Sequence, residues 1–78
     1  MKKILVTGGA GYIASNLIKR LINDNDIKTI ISLDNYFSGS EKNHHKSEKV
    51  TYLKGNTWDI FSILKENDFD IIYHFGEY

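Results

Sequence analysis

Near the start of the chain, Thr7-Gly8-Gly9-Ala10-Gly11-Tyr12-Ile13-Ala14 has the residue types and spacing to receive an anion on backbone N–H groups. The run follows the apolar stretch Ile4-Leu5-Val6 and opens a segment of helical periodicity. The first N–H groups of a helix have no partner within it and lie at its positive end, so they can meet phosphate charge. Side chains on the turn would hold the phosphates away, which is why glycines are needed there. Asp34 stands 20 residues beyond Ala14, at the end of the next apolar run. From that position a carboxylate accepts hydrogen bonds from the 2′- and 3′-hydroxyls of an adenosine ribose. Strand, glycine turn, helix and distal acid together describe a dinucleotide site, with Gly8, Gly11, Tyr12, Ile13, Asp34 and Asn35 as candidate residues. The Asp34 charge would repel a 2′-phosphate by about 4 kcal/mol per charge, at about 4 Å and an effective dielectric of about 20, before relaxation. The expected cofactor is therefore NAD and not NADP.

The elements that must position these residues follow from periodicity. Ile4-Leu5-Val6 is the continuous apolar run of a strand covered on both faces. From Gly11 to Asp24, Ile13, Leu17, Ile18, Leu21 and Ile22 recur at helical spacing, with Ser15, Asn16, Lys19 and Arg20 as the polar side. Asn23 to Asp26 are turn formers, and Ile27 to Leu33 predicts a second strand ending at Asp34. Asn35 to Lys49 is a polar crossover, and Val50 to Leu53 a short third strand. Ile60, Phe61, Ile63 and Leu64 mark a short helix with Asp59 or Thr57 as N-cap, and Phe69 to Phe75 predicts a fourth strand. This is an α/β chain with a parallel sheet, strand order 3-2-1-4 from right-handed crossovers, and one main helix on each face. The apolar fourth strand sits where a doubly wound domain has a fifth beside it. Residues 1–78 thus read as the N-terminal part of such a domain, and strand 4 is a template for pairing with strand 4 of a second copy.

Composition narrows the function classes. Seventy-eight residues hold at most one small domain. Zero formal net charge argues against a general pull toward nucleic acid or membrane. No cysteine is present, which removes disulfides, thiolate catalysis and thiolate metal sites together. Neither a signal peptide nor a membrane span is recognisable, so a cytoplasmic location is expected.

Thr7 to Leu17, followed by Leu33-Asp34-Asn35, resembles the start of extended short-chain dehydrogenases/reductases, a Rossmann-type family. Within them it is similar to the nucleotide-sugar epimerases and dehydratases, the UDP-glucose 4-epimerases among them. Two later segments resemble family landmarks. Gly55-Asn56-Thr57-Trp58-Asp59-Ile60 is similar to a Gly-Asp-x-x-Asp-Ile segment, and the resemblance implies that Asp59 and Ile60 take the adenine edge. Asp70 to Gly76 resembles the fourth strand, which the family usually finishes with His-Leu-Ala-Ala, and implies that Phe75 and Gly76 lie by the pyrophosphate and the nicotinamide-side ribose. Three departures stand out. Ala14 replaces a third glycine, where a methyl group still fits between helix and strand. Asn56 replaces an aspartate and loses its charge. Gly76-Glu77 replaces two small residues, so Glu77 either marks a subgroup with unusual substrates or points to solvent.

The family works through a tyrosine and a lysine four residues later, the lysine lowering the tyrosine's pKa so that it exchanges a proton as hydride moves. Four residues after Tyr12, Tyr36, Tyr52 and Tyr73 stand Asn16, Ser40, Asn56 and Glu77, and no residue follows Tyr78. No catalytic residue is therefore assigned. The resemblance implies the NAD-binding portion of a nucleotide-sugar epimerase or dehydratase, inactive alone, whose substrate would be held by residues outside this sequence. A free-standing NAD-binding or NAD-sensing module and a self-associating fragment are the competing readings. No metal site is assigned: His44-His45 lack ligand spacing around them, and His74 reads as a structural histidine. Glu41 to Lys49 mixes charge signs and reads as a solvated loop. Trp58 either lies near the adenine or covers the short helix, and Tyr36-Phe37 either flank the adenosine or cap the sheet edge.

Overall fold

The computed structural model describes residues 1–35, 42, 44–55, 60–66 and 68–75. Strand β1 (Lys2–Thr7) leads into helix α1 (Tyr12–Ile22), followed by β2 (Ile27–Asp34), β3 (Val50–Lys54), α2 (Ile60–Glu66) and β4 (Ile71–His74). The strands pair in parallel in the order β3-β2-β1-β4, as the sequence predicts. Ile4, Leu5 and Val6 are all fully buried in the middle of β1. Successive strand residues point to opposite faces, so three buried in a row need cover on both sides, and an unbroken apolar run supplies it. On one face Ile4, Val6, Ile27 and Ile30 meet Ala14 and Ile18 of α1. The chain steps outward from β1 to β3 and then back across to β4. Right-handed crossovers place α1 and α2 on opposite faces of such a sheet.

Helix α1 presents a different stripe from the one expected. Ile13, placed by periodicity on the packed face, is 71% exposed, while Ser15, placed on the polar side, is buried. The contact stripe is centred on Ala14 and Ile18, with Leu21 and Ile22 at its edge. Ser15 flanks that stripe and is covered by the crossover. His45 Nε2 lies 3.0 Å from Ser15 Oγ and 3.1 Å from the Ser15 carbonyl oxygen. The His44 ring stacks on Tyr52 at 3.7 Å, and the His45 N–H donates to the Tyr52 hydroxyl (2.8 Å). The two adjacent histidines thus tie the crossover to α1 and β3. Burial pushes the Tyr52 phenol above its ordinary pKa of 10.0, partly countered by the His45 N–H.

Strand β4 is shorter than the apolar run that announces it. Asp70 brackets its start with two bonds to one residue: its carboxylate Oδ2 accepts the Lys3 N–H (2.8 Å), and its own N–H donates to the Lys3 carbonyl (2.8 Å). The two bonds join the strands one residue before the regular pairing of Ile4 with Ile71. The expected caps of α2, Thr57 and Asp59, lie outside the described residues, as do Tyr36, Phe37, Trp58 and Glu77. Among the described residues no helix is long and apolar enough to cross a membrane.

Candidate functional site

Chain order reverses at β1, and in open α/β sheets the crevice for a ligand opens above the carboxyl ends of the strands at that point. Thr7, the last residue of β1, registers with Leu33 of β2 on one side and His74 of β4 on the other. The Gly8 N–H donates to the Leu33 carbonyl (2.7 Å), which carries the pairing one residue past the strand. Gly8 then turns the chain at φ 72°, a left-handed conformation that strains any L side chain. The Gly11 N–H closes the turn on the Gly8 carbonyl (3.0 Å), and a Cβ at Gly11 would stand only 3.3 Å from that oxygen. Gly9 is needed for another reason. A Cβ there would lie 1.7 Å from Ser32 Oγ and 2.8 Å from Ser32 Cβ, so the turn can seat on β2 only without a side chain. Sequence reasoning gave Gly9 no role of its own, because nothing in the sequence pairs it with Ser32.

The turn delivers the start of α1 to this crevice. Gly11 is the N-cap in extended conformation, no side chain caps the helix, and its first turn carries no acidic residue. Lys19 and Arg20 sit in the last turn, where positive charge complements the helix dipole. The side chains of Tyr12 and Ile13 stand in solvent. What this helix end offers is therefore backbone N–H groups, with no carboxylate in its first turn to compete for an anion.

Asp34 ends β2 beside the turn and is only 6% exposed. Its Oδ2 accepts the N–H of fully buried Ala10 (3.0 Å), and its main-chain carbonyl accepts the Gly55 N–H (2.8 Å). The acid predicted to face a ribose also fastens the glycine turn, a task that the spacing could not reveal. Asn35 follows it, half-buried, and half-buried Ile60 begins α2. Phe75 follows β4 with its ring partly exposed and its N–H given to the Thr7 carbonyl (3.0 Å). Gly8, Gly11, Tyr12, Ile13 and Asp34 thus gather about one turn, and Phe75 follows the strand on its other side. Asp59 and Gly76 lie outside the described residues. His74 is hydrogen-bonded, as expected, with its Nδ1 2.6 Å from Thr7 Oγ1, although it is exposed and not packed.

A parallel sheet of this order, with a glycine turn between its reversing strand and an uncapped helix, defines a Rossmann-type dinucleotide-binding fold. Residues 4–78 match the NAD dependent epimerase/dehydratase family, and the chain belongs to that family. It is 35% identical over 81 residues to the UDP-glucose 4-epimerase of Pasteurella multocida, a match covering 94% of this chain and 23% of that protein. It is 50% identical over 44 residues to UDP-glucuronic acid decarboxylase 6 of Arabidopsis thaliana, covering 56% of this chain and 12% of that protein. Among solved structures, the dTDP-glucose 4,6-dehydratase of Bacillus anthracis in complex with NAD aligns with a TM-score of 0.84 at 28% identity. That alignment covers 100% of this chain and 27% of the dehydratase. The chain therefore spans 27% or less of the length of these relatives.

Proposed function

We propose that residues 1–78 form the N-terminal part of a dinucleotide-binding domain that holds NAD for a nucleotide-sugar epimerase or dehydratase. The observation that carries this is the fastening of an uncapped helix start to a buried acid at the end of β2, through the Ala10 N–H and Asp34 Oδ2. In this reading Gly8 and Gly11 shape the cradle, and the N–H groups of Tyr12 and Ile13 meet the diphosphate. Asp34, with Asn35 beside it, accepts from the ribose hydroxyls. Asp59 and Ile60 take the adenine edge, and Phe75 and Gly76 the nicotinamide side. The cradle fits the group: Gly8 and Gly11 bring no side chain to the turn, and the first turn of α1 presents no acid. Bound NAD supplies a hydride acceptor and donor for a sugar carbon. The 78 residues contain no tyrosine followed four residues later by lysine, and in this reading their part is to bind and orient the cofactor. The solved relative in complex with NAD supports the cofactor, and the nucleotide-sugar names of the relatives support the substrate class.

Calorimetric titration of the chain with NAD and NADP tests this. Saturable binding that favours NAD is the expected result, and no heat of binding at about 1 mM NAD, where association is worth about 4 kcal/mol, would refute it.

A further inference from the structure

Among the strand residues described, a single lysine stands at the carboxyl edge of the sheet. Lys2, Lys3 and Lys28 lie at the amino-terminal ends of β1 and β2, whereas Lys54 is the last residue of β3. Lys54 registers with Asp34, the last residue of β2. Alternate strand residues share a face, and the neighbours of Asp34 fix which face that is. Ile30 packs on α1, Ser32 stands where a Gly9 Cβ would fall, and Asp34 Oδ2 accepts the Ala10 N–H. On β3, Tyr52 registers with Ser32 and packs against the same core cluster, and Lys54 comes two residues later. Lys54 is therefore on the face of the glycine turn, one strand spacing of about 4.8 Å from Asp34. The Gly55 N–H that follows it donates to the Asp34 carbonyl (2.8 Å) and holds the two strand ends together. Lys54 is exposed, and among the described residues its ammonium has neither an ion pair nor a hydrogen bond.

We propose that Lys54 is a specificity-determining residue of the dinucleotide site, its ammonium meeting a phosphate carried on the adenosine 2′-oxygen. A ribose whose hydroxyls bond Asp34 sets a 2′-phosphate beside that carboxylate, and the two negative charges repel. Asp34 is buried and fastened to Ala10, so its charge stays where the phosphate must come. Lys54 reaches out from the neighbouring strand on the same face, and its flexible four-carbon stem carries a point charge with three donors. It offsets part of the repulsion, so the site prefers NAD without shutting out NADP. The assignment rests on the NAD reading above and deepens it.

Calorimetric titration of the full chain with NAD and with NADP separates this role from that of a solvated lysine. Lys54→Met keeps the stem and removes the charge, and should weaken NADP about fivefold more than NAD, the effect of one charge pair in water. Lys54→Arg should restore the NADP affinity. The Lys54→Met difference should shrink at about 1 M salt, where the screening length is about 3 Å. An Asp34→Asn background, in which the repulsion is gone, repeats the comparison at higher NADP affinity, and there too Lys54→Met should cost NADP about fivefold more than NAD. An unchanged ratio of NADP to NAD affinity in a folded Lys54→Met chain, in either background, would overturn the assignment while leaving the NAD reading intact. So would a failure to bind NADP by an Asp34→Asn chain that still binds NAD. Absence of NAD binding by the unaltered chain removes both.

Discussion

An Asp34→Ala chain should lose stability before any ligand is added. The carboxylate is 6% exposed and accepts the N–H of Ala10, itself fully buried, so truncation leaves that N–H without its acceptor in a place water reaches poorly. A hydrogen bond to a charged group contributes about 1.5–3 kcal/mol. A chain of this length has a total stability of about 4–12 kcal/mol at about 0.05–0.15 kcal/mol per residue. A loss of about 2 kcal/mol is thus a large fraction of the whole, and lowers the melting temperature by about 8–16 °C at about 4–8 °C per kcal/mol. Asp34→Asn keeps a carbonyl oxygen in place, and a neutral acceptor is about half as strong, so it should lose only about 1 kcal/mol. Urea unfolding followed by circular dichroism gives both values, provided the slope with denaturant is unchanged. The same pair separates the two roles toward cofactor. Both variants remove the charge that repels a 2′-phosphate, so both should narrow the preference for NAD, and Asp34→Ala should in addition weaken NAD further than Asp34→Asn does, through the loosened turn and the lost ribose acceptor. If both variants unfold within about 0.5 kcal/mol of the unaltered chain, as ordinary surface substitutions do, the turn-fastening role is wrong.

Other expectations follow from single contacts. Gly9→Ala should destabilise by about 1–3 kcal/mol or more, because its Cβ would overlap Ser32 Oγ, and a Gly9→Ala/Ser32→Gly chain should show a favourable coupling in a double-mutant cycle. Ile18→Ala, at the centre of the α1 contact stripe and fully buried, should lose about 2–5 kcal/mol in urea unfolding, whereas Ile13→Ala on the exposed flank should lose about 0.5 kcal/mol or less. The Tyr52 phenol, raised above 10.0 by burial, stays protonated in the fold at pH values where it ionises in the unfolded chain. Its stabilising contribution is complete below pH 10.0 and is lost as pH climbs through the folded value, so unfolding midpoints should fall above pH 10.0 and fall less steeply in Tyr52→Phe.

The order of elements was legible because its signals are local. Ile4-Leu5-Val6 is apolar without alternation, which only a strand covered on both faces tolerates, and all three are fully buried. The glycine turn and the spacing to Asp34 were legible for the same reason, since a turn and a strand–helix–strand length are properties of consecutive residues, whereas the left-handed φ at Gly8 was seen only in the structure. The boundaries were less so. β4 begins at Ile71 and not Phe69, and Asp70 just before it meets the backbone of a residue 67 positions away, a contact that no local pattern announces.

By itself the sequence determined a parallel α/β chain, a glycine turn before a helix, and an acid at the distance a dinucleotide requires. The tertiary structure decided which side chains those features touch. It buried Ser15 under His45 and left Ile13 in solvent, because the direction of an amphipathic stripe depends on what the crossover covers. It required glycine at position 9 because Ser32 of β2 stands beneath it, bound Asp34 to the turn it was expected only to adjoin, and joined Thr7 to His74. Each of these contacts lies between residues 23 to 67 positions apart. Periodicity and spacing encode neighbours along the chain, whereas such contacts exist only once the sheet has set its register.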